Sequence, residues 1–272
     1  MCLSATLEMF RSVLSSSETL SWMGMGFATV AQRSRASRKA RPVTISYVVD
    51  LTQTLTPESP SWPGYPSLAV RNTHHFAADG FFANAWDIHE HSGTHVDAPL
   101  HFSAKGWSAA DIPAEALVVP VVVIDIRSRA RRDPDAQVRV EDIKAWEKRH
   151  GRVSRGAAVL MWSGWEDRAG DQVAYRNMDS EGIMHFPGFS QEAAEFLVTE
   201  RAIGGIGVDT LSLDHGPSTD FGAHFAVLPS NRWGIENLAN LGKLPPGGAT
   251  LFVGVPRVQG ASGGPARILA VW

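Results

Sequence analysis

Four of the ten histidines in this 272-residue sequence fall between His89 and His101. The run His91-Ser-Gly-Thr-His95-Val-Asp97-Ala-Pro-Leu-His101 places three imidazoles and a carboxylate at odd positions. Extended backbone sends alternate side chains to one face, so the spacing predicts that all four project toward one point. A helix serves poorly: Gly93 and Pro99 interrupt it, and Asp97 would lie well round from His91. Gly93 permits a turn or a close backbone approach, and Pro99 removes a donor where the strand is expected to end. Two imidazoles and a carboxylate make three protein ligands for a divalent ion and leave positions open for water or substrate, the mark of a catalytic site. The plainer alternative is a histidine-rich strand face bonded to backbone or water. Four chelating groups at matching parity beside a Gly and a Pro favour the metal.

Other chemistries find less support. A single cysteine, Cys2, excludes an intrachain disulfide framework and a multi-cysteine zinc site. There is no G-x-S-x-G elbow for a serine nucleophile and no glycine-rich nucleotide fingerprint. A net charge of −3, with 19% charged residues, gives no basic field for nucleic acid or anionic lipid. No run of eighteen apolar residues is present, so no membrane span is expected, and a cytoplasmic location is the expectation.

The elements that must position the run lie downstream of Pro42. Residues 1–42 combine a weakly apolar stretch, Trp22 to Ala31, with a following basic segment from Arg33 to Arg41. That order is wrong for a secretory signal. The expectation is a disordered extension; a targeting segment or an early-assigned start are the alternatives. Residues 43–272 are expected to form a single domain; a hydrophobic content of 44% supplies its core. Candidate strands are Ser46–Leu51, Ala69–His74, Leu117–Ile126, Ala157–Met161, Ile203–Val208, Thr250–Val255 and Arg267–Val271, mostly short β-branched runs bounded by Gly, Pro or polar residues. Helices are expected over Val140–Arg149, stopped by Gly151, and over Gln191–Ala202, capped by Ser190 and ended by Gly204-Gly205. The fold class is α/β or α+β with a strand-rich core, α/β being the first choice.

The run resembles the motif His-x-Gly-Thr-His-x-Asp-x-Pro-x-His-Phe of the cyclase-like metal hydrolases, the group with bacterial kynurenine formamidases and isatin hydrolases. It stands complete through Phe102. Asp50-Leu-Thr-Gln-Thr-Leu55 and Trp62-Pro-Gly64 look like the family's opening segment. Gly207-Val-Asp209-Thr-Leu-Ser212-Leu-Asp214 looks like its acidic turn; Ala223-His224 and Glu236-Asn-Leu-Ala-Asn-Leu241 look like its distal metal region. The resemblance implies a swivelling β/β/α fold and a homodimer in which one subunit completes the other's pocket. It implies His91, His95 and Asp97 as ligands of a first ion and His101 as the proton-moving residue. In formamidase-like members Asp97 would bridge to a second ion held by His224 and Glu236. Those two residues carry no such signal by themselves. The distal Glu is expected to be absent from isatin hydrolases, so Glu236 tilts the resemblance toward the formamidase branch.

The expected chemistry is hydrolysis of an amide C–N bond, with one or two divalent ions per chain, Zn²⁺ ahead of Mn²⁺. The expected substrate is a small aromatic amide: an N-formylkynurenine-like formamide first, a cyclic amide or imide such as isatin second. A metal-binding protein without turnover and a non-hydrolytic cyclase are the readings from other classes. Trp62, Phe81, Phe82, Trp107, Trp162 and Trp165 are candidates for a flat aromatic pocket, although each alone reads better as core. Asp209 and Asp214 either orient ligand histidines or cap turns. Glu90, an acid between two histidines, is a candidate for a buried role behind the ligands.

Overall fold

In a computed structural model that describes residues 44–272, the chain forms thirteen strands and a few helices. The expectation of a disordered extension over 1–42 lies outside the described residues. The strands are β1 (Val48–Asp50), β2 (Ala69–His74), β3 (Ala83–Asp87), β4 (His95–Asp97), β5 (Val118–Asp125), β6 (Gln137–Val138), β7 (Ala158–Trp162), β8 (Gly188–Phe189), β9 (Gly205–Val208), β10 (Trp233–Glu236), β11 (Gly247–Gly254), β12 (Gly263–Pro265) and β13 (Arg267–Val271). Nine of them make one sheet in the order β1-β13-β11-β5-β7-β9-β10-β4-β12. The central β5, β7, β9 and β10 run parallel, and the flanking pairs are antiparallel.

The parallel centre follows from continuous apolar runs, which suit strands buried on both faces. In β7, Val159 and Met161 enter a core shared with Ile143, Trp146 and Leu197 of the covering helices. The intervening Ala158 and Leu160 enter a second core with Val121, Ile235 and Leu251. Both expected long helices are present, as Val140–His150 and Gln191–Arg201. The Ser190 hydroxyl accepts from the Ala193 amide at 3.1 Å and caps the second. That helix ends at Ala202, which takes the left-handed conformation at φ 50°, before the glycine pair is reached. Among the described residues no helix is long and apolar enough to cross a membrane.

The seven expected strands are all found, Ala69–His74 and Arg267–Val271 with the expected ends and the other five with shifted ends. Five were not expected, β3, β6, β8, β10 and β12, and β4 lies within the run that was expected to be extended. The run from His91 to His101 is not one extended segment. Gly93 turns at φ 59°, only His95–Asp97 is strand, and Pro99–His101 is a 3-10 turn. Strand alternation therefore places His95 and Asp97, whereas the turns at Gly93 and Pro99 deliver His91 and His101. Proline at the first position of that turn suits a site where no amide donor is required.

Candidate metal centre

The short strand β4 lies between β10 and β12, and its register builds the site. Glu236 stands directly opposite His95, and Gly234 opposite Asp97. Directly opposed residues share a face, so β10 delivers a carboxylate to the histidine that local spacing had already placed. Gly234 leaves space for Asp97: a Cβ there would meet Leu213 Cδ1 at 2.6 Å and Asp97 Oδ2 at 3.3 Å. On the other side Gly263 pairs with Asp97 and Pro265 with His95.

His224 arrives on the short helix Gly222–Val227, whose preceding residue Phe221 takes φ 52°. A bulky residue in that region stores strain of roughly 1–3 kcal/mol, which the surroundings must hold in place. Asp214 does part of the holding: its carboxylate accepts from the Ala223 amide at 2.7 Å and contacts His224 Nδ1 at 2.6 Å. Of the two readings for the acidic turn, Asp214 orients a histidine. Asp209 instead accepts from the amides of Ser163, Gly164 and Trp165 and from the Ser163 hydroxyl, tying that turn to β9.

All five residues expected as ligands converge. Asp97 Oδ1 lies 2.7 Å from His91 Nδ1 and 3.4 Å from His95 Nε2; its Oδ2 lies 3.6 Å from His224 Nε2. Glu236 reaches His95 Nε2 and His224 Nε2 at 3.3 Å each. The remaining ring nitrogens of the last two are tied back, His95 Nδ1 to the Gly93 carbonyl at 2.9 Å and His224 Nδ1 to Asp214. Their free nitrogens therefore face the carboxylates. His101 joins from the 3-10 turn, its ring stacked on His91 with centroids 4.0 Å apart.

The donor set fits a divalent cation. His95 Nε2 and Asp97 Oδ2 are sealed from solvent and have no hydrogen-bond partner, a costly condition that an ion would relieve. Two donors bound tetrahedrally to zinc at about 2.0–2.1 Å stand about 3.3 Å apart, which matches the separations around Glu236. Two ligand groups can be drawn, His91–Asp97–His101 and His95–Asp97–Glu236, and Asp97 belongs to both. The electrostatics agree. Burial disfavours a charge on His95, yet Asp97 and Glu236 outweigh it and push the imidazole up to about 10. Burial would raise Asp97, but His224, His91 and His95 hold it well below the usual carboxylate range. The two carboxylates thus demand positive charge at this point. Burial lowers His101 to about 4, so it stands neutral, with a lone pair available at ordinary pH.

Above the cluster opens a cleft of about 140 Å³ walled by Trp62, Tyr65, Phe102, Leu211 and Phe221, with Ser212 and Asn237 as polar points. Of the six aromatic candidates only Trp62 lines it. Phe81 and Phe82 are exposed beside the β2–β3 hairpin, Trp165 is core with Tyr175 and Phe186, and Trp162 lies under the Arg127 guanidinium. Phe102 and Phe221 went unrecognised; Phe102, the last residue of the motif, was the available signal. The second sphere is equally specific. Asn237, at φ 58°, donates its side-chain amide to the Gly93 carbonyl at 2.9 Å, and its own carbonyl accepts from Thr94 at 2.6 Å. These bonds join the turn before β4 to the residue after Glu236.

Comparisons with known proteins accord with this geometry. The Cyclase family model matches residues 49–215. An isatin hydrolase of Roseibium aggregatum is 35% identical over 241 residues, 82% of this chain and 91% of that protein. A kynurenine formamidase of Sphingopyxis alaskensis is 31% identical over 229 residues, 83% and 98% of the two chains. Among solved structures, isatin hydrolase A from Ralstonia solanacearum superposes with a TM-score of 0.78 at 37% identity, covering 83% of this chain and 91% of that one.

Proposed function

The chain belongs to the cyclase family, and from that membership we propose that it is a metal-dependent hydrolase of aryl amide C–N bonds, with a cyclic amide of the isatin type as substrate. The observation that carries this reading is a buried cluster of three histidines and two carboxylates with orphaned donor atoms at the floor of a cleft walled by Trp62, Phe102 and Phe221. A flat bicyclic amide fits such a slot: its ring fills the apolar walls and its carbonyl reaches the cluster. The relatives named isatin hydrolase, at 35–37% identity, support the cyclic substrate.

His91, His95 and Asp97 would hold the ion, with His224 and Glu236 completing the set. When bound, a divalent ion polarises the scissile carbonyl and makes water easier to deprotonate. Zn²⁺ and Mn²⁺ both suit mixed imidazole and carboxylate donors. His101 takes the proton of the attacking water and delivers it to the departing nitrogen as the C–N bond breaks, giving an amine and a carboxylate. Its support is its place in the cleft lining, stacked on His91 beside the ligand cluster. The aromatic walls exclude bulk water, and Ser212 and Asn237 supply polar contacts for the ring substituents.

One observation favours a second reading. Glu236 joins His95 and Asp97 in a ligand group separate from His91 and His101, which suits a two-ion, formamidase-like centre acting on an N-formyl aryl amine; the Sphingopyxis relative carries that name. Turnover of isatin against N-formylkynurenine by the same metal-loaded protein tests the choice. A higher kcat/KM for the open-chain formamide reverses the order proposed here, and no hydrolysis of either leaves the amide reading without support.

A homodimer accompanies this proposal. Phe76, Phe82 and Trp86 on and beside the β2–β3 hairpin stand 65–71% exposed, an apolar surface that a second copy would cover. Sedimentation at micromolar concentration checks it, and a monomer contradicts it.

A further inference from the structure

Glu90 and Ser262 stand outside every ligand group, yet they are joined to His91. Glu90 Oε2 accepts from the Ser262 amide at 2.9 Å and from its hydroxyl at 2.6 Å. Ser262 Oγ lies 3.0 Å from His91 Nε2. The hydroxyl hydrogen is already directed to the carboxylate, so Oγ faces the ring as an acceptor and His91 must supply Nε2–H. The lone pair of His91 is thereby assigned to Nδ1, the atom 2.7 Å from Asp97.

The backbone makes the contact rigid. The Ser262 carbonyl accepts from the Ala98 amide at 2.9 Å, and the following Gly263 pairs with Asp97. A Cβ at Gly263 would meet the Val96 carbonyl at 2.4 Å and His91 Cε1 at 2.8 Å, so only glycine lets the ring settle against β12. The three ligand histidines therefore divide. His95 and His224 are tied at Nδ1 and present Nε2; His91 is tied at Nε2 and presents Nδ1.

We propose that Glu90 and Ser262 are a positioning pair that locks His91 in the Nε2–H tautomer, so that Nδ1 is its metal-binding atom. The proposal rests on the metal-hydrolase reading above. Glu90 fixes the serine rotamer by accepting from its hydroxyl and its amide, and Ser262 fixes the ring. Partners of this kind typically carry 10- to 100-fold in metal affinity.

The test uses the purified full chain, stripped of metal, with Zn²⁺ and Mn²⁺ affinities read by competition against a chromophoric chelator. Ser262→Ala and Glu90→Ala should each weaken binding by about 10- to 100-fold, while Ser262→Thr and Glu90→Gln, which keep the hydroxyl and an acceptor, stay near the parent. Nitrogen-15 spectra of the zinc-loaded chain should show the His91 proton on Nε2, and Ser262→Ala should lose that signature. Melting of the metal-free variants checks folding, and Glu90→Ala, which leaves β12 intact, stands in if Ser262→Ala melts early. Parent-like affinity in both alanine variants overturns the proposal. So does a Ser262→Thr variant as weak as Ser262→Ala, which would mean packing and not the hydroxyl. A parent chain that takes up neither ion sinks the hydrolase reading along with it, a result distinguishable from loss in the variants alone.

Discussion

Asp97→Asn is the perturbation with the largest expected consequence. Asp97 is 1% exposed and belongs to both ligand groups, with three imidazole nitrogens between 2.7 and 3.6 Å from its oxygens. The amide has nearly the same shape but no charge, so the substitution isolates electrostatics from packing. It leaves Glu236 as the one carboxylate at the Nε2 atoms of His95 and His224. Removing one partner of a buried charge pair costs about 3–5 kcal/mol. At about 1.4 kcal/mol per decade, that corresponds to roughly 10²- to 10⁴-fold weaker ion binding. The assay is ion content per chain by mass spectrometry after desalting, together with affinity by chelator competition. Turnover should fall with occupancy and recover in part at high ion concentration. Stoichiometric ion retention at parental affinity would refute the assignment of Asp97 as the shared ligand.

His101→Ala should retain its ion while the rate falls by roughly 10² to 10⁴, the range for a general acid–base; loss of ion content in parallel would make His101 a ligand. Glu236→Gln should lower ion content from two per chain toward one if the two-ion reading holds; unchanged content and turnover would leave a single-ion centre. Glu166 supplies a pH prediction. Burial and the neighbouring Asp209 charge push its carboxyl up to about 7 in the folded chain. The folded state then binds that proton more tightly than the unfolded one, so the contribution of Glu166 to stability is greatest below about pH 4.5, falls as pH rises toward 7, and is constant above. Discounted for partial solvent screening, the loss is about 1–2 kcal/mol. Glu166→Gln keeps an acceptor for the Asn240 amide; it should raise the melting temperature at pH 8 and leave it unchanged at pH 4, and an equal shift at both values would contradict the reasoning.

The first-ligand run was legible because His91, His95 and Asp97 lie close in sequence, where parity and a bracketing Gly and Pro carry information. The route was misread: the side chains of His91 and His101 are aimed by the turns at Gly93 and Pro99, which alternation does not describe. His224 and Glu236 had no local signal. Glu236 gains its meaning from lying opposite His95 in the β10–β4 register, and β10, reading Trp-Gly-Ile-Glu, is too short and too broken by glycine to announce a strand. β12, reading Gly-Gly-Pro, has no β-forming residue; close approach to Val96 and His91 selects its first glycine, not propensity. The strands of the sheet's centre were legible for the opposite reason, since β5, β7 and β9 are largely apolar runs, although their parallel pairing was not expected.

The central claim is amide hydrolysis that depends on an ion held by His91, His95 and Asp97. The most direct measurement is turnover of isatin and N-formylkynurenine by chain stripped to below a few per cent of ion content, then reloaded with Zn²⁺ or Mn²⁺. The account predicts activity near zero in the stripped chain and its return in proportion to ion bound at one or two per chain. Full activity from demonstrably ion-free protein would contradict it.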